Sequence, residues 1–133
     1  MDMTIEKLEA YRGLTSEMKA LLQQITSLYD TYRSPQLMNN GGHSMSASSP
    51  TESAVAKILK LEKIYRKKYE EGVDLLGEVE NWLSQVPDAE IRSICRHHYI
   101  LNKSWSQTSA IVYGYPSYYP ARKKVMRYFG REK

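Results

Sequence analysis

The chain has one cysteine and one phenylalanine, and no apolar run approaches the roughly 20 residues needed to cross a bilayer. A single thiol forbids an internal disulfide. Cys95 stands at an apolar helical position beside Ile91 and Ile94, so it reads as a small core residue. The opening Met1-Asp2-Met3-Thr4-Ile5-Glu6 lacks the basic-then-apolar pattern of a secretion signal, and the expected location is the cytoplasm, with no membrane partner. Groups that could converge on a reaction are equally scarce. His97 and His98 are adjacent, so on a helix they point about 100° apart and cannot share one metal from one face. His43 lies in a Ser/Gly-rich stretch without other ligands, and the sequence has no phosphate-cradling glycine loop, no Cys-x-x-Cys and no His-Glu-x-x-His. Glu70-Glu71 and the Glu78/Glu80 pair belong to a helix rich in lysine, where a solvated or ion-paired surface is the natural reading. The expectation is a protein that is no enzyme, with no catalytic residue, no metal and no cofactor.

What is present is helical. The 133 residues suffice for one compact module with an extension, and 41% hydrophobic with 26% charged residues is the balance of a chain that builds a core. The net charge of +4 hides an asymmetry. From Asp88 onward nine Lys/Arg stand against three acids, a net of +6, while residues 1–87 hold ten against twelve, a net of −2. Positive charge gathered in the C-terminal third implies a polyanionic partner for it.

Tyr11, Leu14, Met18, Leu21, Ile25, Leu28 and Tyr32 alternate by three and four, continuing loosely back through Leu8 and Ile5, which predicts one helix with a heptad seam. Residues 33–49 hold turn formers without periodicity and read as a flexible loop. Ser49-Pro50-Thr51-Glu52 is a helix start, with serine as cap and proline in the first turn. The second seam runs Val55, Ile58, Leu61, Tyr65, Tyr69, Gly72, Leu76, Val79, Leu83 and Val86 before Pro87 ends it, and Gly72 and Gly77 could let another helix approach. Two long helices with apolar seams predict an antiparallel coiled-coil hairpin over residues 1–87. Because such a pair makes a thin core, a homo-oligomer is expected, a dimer by default.

After Pro87 the elements shorten: a helix from Asp88 to about Leu101, a second over Ser104–Tyr113 opening with the capping-box pattern Ser104-Trp105-Ser106-Gln107, and a basic third ending near Phe129. Three short helices with tight turns predict a helix-turn-helix module over residues 88–133, with Trp105 anchoring its core. Pro120 requires the last helix to begin within Ser117–Pro120. Helical spacing places Ala121, Val125, Tyr128 and Phe129 inward and Tyr119, Lys123 and Arg127 outward, with Arg122, Lys124 and Arg131 on the flanks. Tyr118, Tyr119, Arg122, Lys123, Lys124, Arg127, Arg131 and Lys103 are therefore the candidate DNA-binding residues, with Lys123 and Arg127 placed for base or phosphate contact.

The stretch Tyr99-Ile100-Leu101-Asn102-Lys103-Ser104-Trp105-Ser106-Gln107, followed by Gly114-Tyr115, resembles the signature of small phage and prophage proteins similar to the RinA and ArpU type of late-gene transcriptional regulators. Where that family has Ile-Ala, this chain has Thr108-Ser109. The resemblance implies an all-α protein with a domain like region 4 of sigma-70 factors, acting on double-stranded DNA in a bacterial host cell and touching RNA polymerase through its helical arm. Two other classes share the pattern: a small terminase subunit that binds packaging-site DNA, and a coiled-coil interaction protein with no DNA role.

Overall fold

Thr4 opens the first helix by accepting a hydrogen bond from the Lys7 backbone N–H (3.1 Å), satisfying one of the donors that a helix start leaves open. The computed structural model describes residues 2–33 and 50–131, and those residues are all-helical, with no strand among them. The elements are α1 (Ile5–Arg33), α2 (Pro50–Leu83), α3 (Ala89–Cys95), continued by a π-helical turn (Arg96–Ile100), α4 (Trp105–Tyr113) and α5 (Tyr119–Tyr128). No described helix is long and apolar enough to cross a membrane. Arg33, expected to begin the loop, is the last residue of α1. The remainder of the expected loop, residues 34–49, and the Ser49 cap lie outside the described residues.

The chain forms two compact units, residues 17–71 and residues 1–16 together with 72–133. Both units therefore draw residues from α1 and α2. The reason lies in the core of the larger unit. Leu8 of α1, Val79 and Leu83 of α2, and Val86 are buried in one cluster with Ile91, Ile94, Cys95, Tyr99, Ala121 and Val125. Three short helices carry too little apolar surface to close a core alone, and the ends of the long helices complete it. Ion pairs frame this cluster: Lys7 with Glu78 at 3.2 Å, and Arg96 in a two-pronged contact with Glu80 at 2.8 and 2.9 Å. Glu80 holds the Arg96 guanidinium charged, and Arg96 keeps the Glu80 carboxyl below the usual range.

In the unit of residues 17–71, Leu21, Ile25 and Ile58 are the buried apolar side chains, as their seam positions require. Lys68 meets Glu17 at 3.2 Å and the Tyr29 hydroxyl donates to Glu62 at 3.1 Å. Two seam positions do not behave as expected: Val55 is 40% exposed and Tyr69 is 54% exposed. Tyr69 stacks on Tyr65 instead (6.5 Å, 28°). Gly72 is buried, but Gly77 is exposed and a side chain there would meet nothing, so it marks no close approach within the described residues. The second helix also ends earlier than Pro87 demands. Bonds from Gln85 N to the Trp82 carbonyl and from Val86 N to the Leu83 carbonyl tighten the chain after Leu83.

Candidate functional site

The C-terminal helices are fixed at their ends by side chains that the local sequence supplies. Asp88 caps α3, accepting from the Glu90 and Ile91 backbone N–H groups at 2.9 and 3.3 Å. Burial works against its charge, but those two N–H groups and Lys124 outweigh it and hold the carboxyl below its usual range. Ser104 caps α4 in a capping box, its hydroxyl accepting from Gln107 N (3.0 Å) while the Gln107 side chain accepts from Ser104 N (2.9 Å). Gly114 ends α4 at φ +91°, a left-handed conformation suited to glycine at a helix C-terminus.

Between α3 and α4 the chain widens into the π-helical turn, in which the Leu101 N–H reaches back to the Arg96 carbonyl (2.9 Å). One carbonyl of this turn and two that follow it are gathered by Arg12 of α1. The guanidinium donates to the carbonyls of His98 (2.9 Å), Asn102 (3.4 Å) and Lys103 (3.3 Å). A cation is favoured where the carbonyl end of a helix concentrates negative charge. Asn102 takes a left-handed φ of 61° and its side-chain amide donates to the Thr15 hydroxyl at 3.0 Å. His98 is buried, with its Nδ1 2.7 Å from the Lys103 carbonyl and its ring stacked on Trp105 (3.5 Å, 15°). Nδ1 thus carries the proton and donates it. Burial, helped by the Arg12 charge, lowers the His98 pKa to about 4, so the ring is neutral. Trp105 also meets Tyr99 edge-on (5.8 Å, 90°), which gives it the anchoring position expected. Arg12, Trp105 and Tyr118 border a cleft of about 460 Å³.

Thr108 and Ser109, two small polar residues of α4, are fully buried. The Ser109 hydroxyl accepts from the Ala121 N–H at 3.2 Å, tying the first turn of α5 to α4. Cys95 is buried and its thiol is pushed up to about 12 by burial, so it is an inert core group.

On α5, Ala121 and Val125 are fully buried and Phe129 half-buried, as their spacing requires, but Tyr128 is 42% exposed and not a core residue. Both Tyr128 and Phe129 lie against Trp82, Phe129 stacked (5.6 Å) and Tyr128 edge-on (6.3 Å), and the second ring is left at the rim with its polar end able to stay in water.

The structure separates the eight candidate residues into groups. Tyr118, Tyr119, Arg122 and Lys123 stand together. The two rings meet edge to face (5.1 Å, 87°), the Arg122 guanidinium lies 5.7 Å from the centre of the Tyr118 ring, and the Lys123 ammonium 6.0 Å from that of Tyr119. Arg127 is exposed on the same helix. Lys124 instead turns to acids, 3.3 Å from Asp88 and 3.8 Å from Glu90. Glu90 also accepts from the Tyr113 hydroxyl, whose ionisation is displaced upward by burial and by that carboxylate. Arg131 pairs with Glu6 of α1 and lowers the Glu6 pKa. Lys103 is partly exposed, and the contacts of its backbone carbonyl with Arg12 and His98 define its place. No cluster able to hold a metal occurs among the described residues.

Sequence reasoning missed Arg12, whose partners lie more than 80 residues away. It also missed Glu6, Asp88 and Glu90 as partners of the basic residues; only the capping position of Asp88 ahead of an apolar-periodic run was a readable signal. No family model, no curated protein and no solved structure matches the chain.

Proposed function

We propose that this chain binds double-stranded DNA through α5, as a sequence-specific transcriptional regulator of the phage and prophage late-gene type. In this reading the long helices are an antiparallel hairpin arm and α3, α4 and α5 are a helix-turn-helix module, with α5 as its reading helix. The observation that carries it is the division of α5. Ala121 and Val125 are locked in the core, and Tyr119, Lys123 and Arg127 are exposed along the other side without an acidic neighbour on the helix. A rigidly held helix with a cationic outer row suits phosphates and guanine acceptors. Lys123 and Arg127 are the primary contacts, Arg122, Tyr118 and Tyr119 flank them, and Lys124 and Arg131 serve the fold through their ion pairs.

The protein also self-associates in this reading. The unit of residues 17–71 buries few apolar side chains while Leu22, Leu59 and Tyr69 are 49%, 61% and 54% exposed, and a second copy covering them makes a dimer.

Fluorescence-anisotropy titration against fragments of the source genome, at two salt concentrations, tests the DNA reading. The expected result is salt-sensitive binding that favours particular fragments. Replacing Lys123 and Arg127 together by alanine lowers the slope of log affinity against log salt by about two, at about 0.9 per phosphate contact. Unchanged affinity in a folded double variant refutes the placement of the reading face.

A further inference from the structure

The outer row of α5 has a composition that duplex reading alone does not explain. The helix carries no Asn, Gln, Ser or Thr, the neutral side chains that read adenine edges or accept and donate in a groove, and no acid to receive a cytosine amino group. It offers cations and tyrosines. Tyr118 and Tyr119 are 48% and 59% exposed, and Tyr115, in the connection before them, is 55% exposed. Water-facing rings at three nearby positions are unusual beside a small core that leaves room for aromatics at its rim. The phenol hydroxyl needs only its tip to reach a phosphate, whereas here much of each ring is left open.

Crossed rings at 5.1 Å, each with a cation above it, form a shelf with alternating aromatic faces and positive charge. In a closed duplex the base faces are hidden in the stack and only edges and phosphates are presented. An unpaired base offers its face, and its phosphate follows one backbone repeat away. Aromatic faces with interleaved cations suit that combination, because stacking takes the base and the cation takes the phosphate.

We propose that the Tyr118–Tyr119 shelf stacks unpaired bases, so that the substrate of this surface is DNA with a locally opened segment. This rests on the reading of α5 as a DNA-binding helix and names the form of DNA it prefers. Lys123 and Arg127 hold the backbone, while Tyr119, the more exposed ring, receives the base.

The test compares a closed duplex of about 20 base pairs with the same duplex carrying a short central run of mismatches, using the full-length protein, anisotropy and several salt concentrations. The wild-type chain binds the opened duplex roughly tenfold more tightly. Tyr119→Ala removes that preference: it weakens opened-duplex binding by about tenfold and closed-duplex binding far less, with the salt slope kept, because stacking releases no counterions. Tyr119→Trp retains it, which separates the ring from its hydroxyl. Since Tyr119 is a surface residue, an unchanged thermal melt of Tyr119→Ala accompanies these results. Equal affinity of the wild type for both duplexes overturns the proposal, as does a Tyr119→Ala variant that weakens both duplexes equally. If the Lys123/Arg127 double variant lowers closed-duplex binding in either of those cases, the DNA reading stands and only the shelf is lost. If the wild type binds neither duplex at low salt, both fail and the tyrosines belong to a protein contact.

Discussion

Acid should loosen this fold well before its carboxylates titrate, and His98 is the reason. The ring is 5% exposed, stacked at 3.5 Å on Trp105, donating through Nδ1 to the Lys103 carbonyl, with the Arg12 guanidinium bonded to its own carbonyl. Protonation would place a second cation beside Arg12 in a buried site. The His98 pKa is accordingly about 4 in the folded chain, against about 6.5 for an unfolded histidine. Above pH 6.5 neither state holds the proton and stability is at its full value. Between pH 6.5 and 4 the unfolded chain binds the proton and the folded chain does not, so stability falls as pH falls, at about 1.4 kcal/mol per unit. Over that window the loss approaches about 3 kcal/mol, a large part of the stability of a small domain. Urea melts from pH 7.5 to 4.2 measure it directly. His98→Phe keeps a ring against Trp105 and stays neutral, so its stability curve should be flatter over the same range by that amount. At pH 7.5 it should differ from wild type by about 1 kcal/mol for the lost hydrogen bond. A His98→Phe protein that loses stability as steeply as wild type between pH 6.5 and 4 would refute the assignment of that slope to His98.

Arg12→Met keeps the aliphatic stem but leaves the His98, Asn102 and Lys103 carbonyls without their cation, and a loss of about 2 kcal/mol in chemical denaturation is expected. Trp105→Ala should lose about 3 kcal/mol, with near-ultraviolet circular dichroism reporting the disturbed His98–Tyr99 packing; an unchanged melting curve would contradict its anchoring role. Gly114→Ala should lose about 1 kcal/mol from left-handed strain, although the site is open and a methyl group meets nothing there. Lys124→Ala should leave DNA affinity within twofold of wild type, whereas Lys123→Ala weakens it at low salt; equal effects of the two would show that the acids near Lys124 do not hold it.

Local signals were the readable part. The seam positions Leu21, Ile25, Ile58, Val79 and Leu83 are buried because a three-four alternation leaves one face of a helix to pack, and the Ser104-Gln107 box and the Gly114 stop act within a single turn. What was not readable depends on residues distant in sequence. The π-helical turn has no periodic signature, since the carbonyls in it and just after it are satisfied by Arg12 across 86 to 91 residues. Tyr128 has the spacing of an inward residue, yet Trp82, itself at the rim of the core, holds it at the surface. The division of the molecule was hidden for the same kind of reason. Continuous heptads give no sign of where α1 and α2 stop serving one core and begin serving another, and only the company of Leu8 with Ile91 and Val125 reveals it.

The same tertiary logic sharpens the candidate surface. By sequence the C-terminal third is basic, and helical spacing sets Lys123 and Arg127 outward with Arg122, Lys124 and Arg131 as flanking candidates. The folded chain spends acids selectively: Asp88 and Glu90 lie beside Lys124, and Glu6 reaches Arg131. Each of these acids has another structural task or a distant origin, Asp88 as helix cap and Glu90 as acceptor for Tyr113. Pairing Lys124 and Arg131 leaves the field of α5 concentrated along Arg122, Lys123 and Arg127, beside the two tyrosines. A narrow cationic row follows one strand of a backbone better than a broad basic face would, because a broad face attracts any polyanion in many registers. If that is the purpose of the pairs, the Glu90→Gln variant should raise non-specific affinity at low salt while reducing the preference between specific and scrambled duplexes. A variant with unchanged preference would show that Glu90 holds Lys124 and Tyr113 for stability alone.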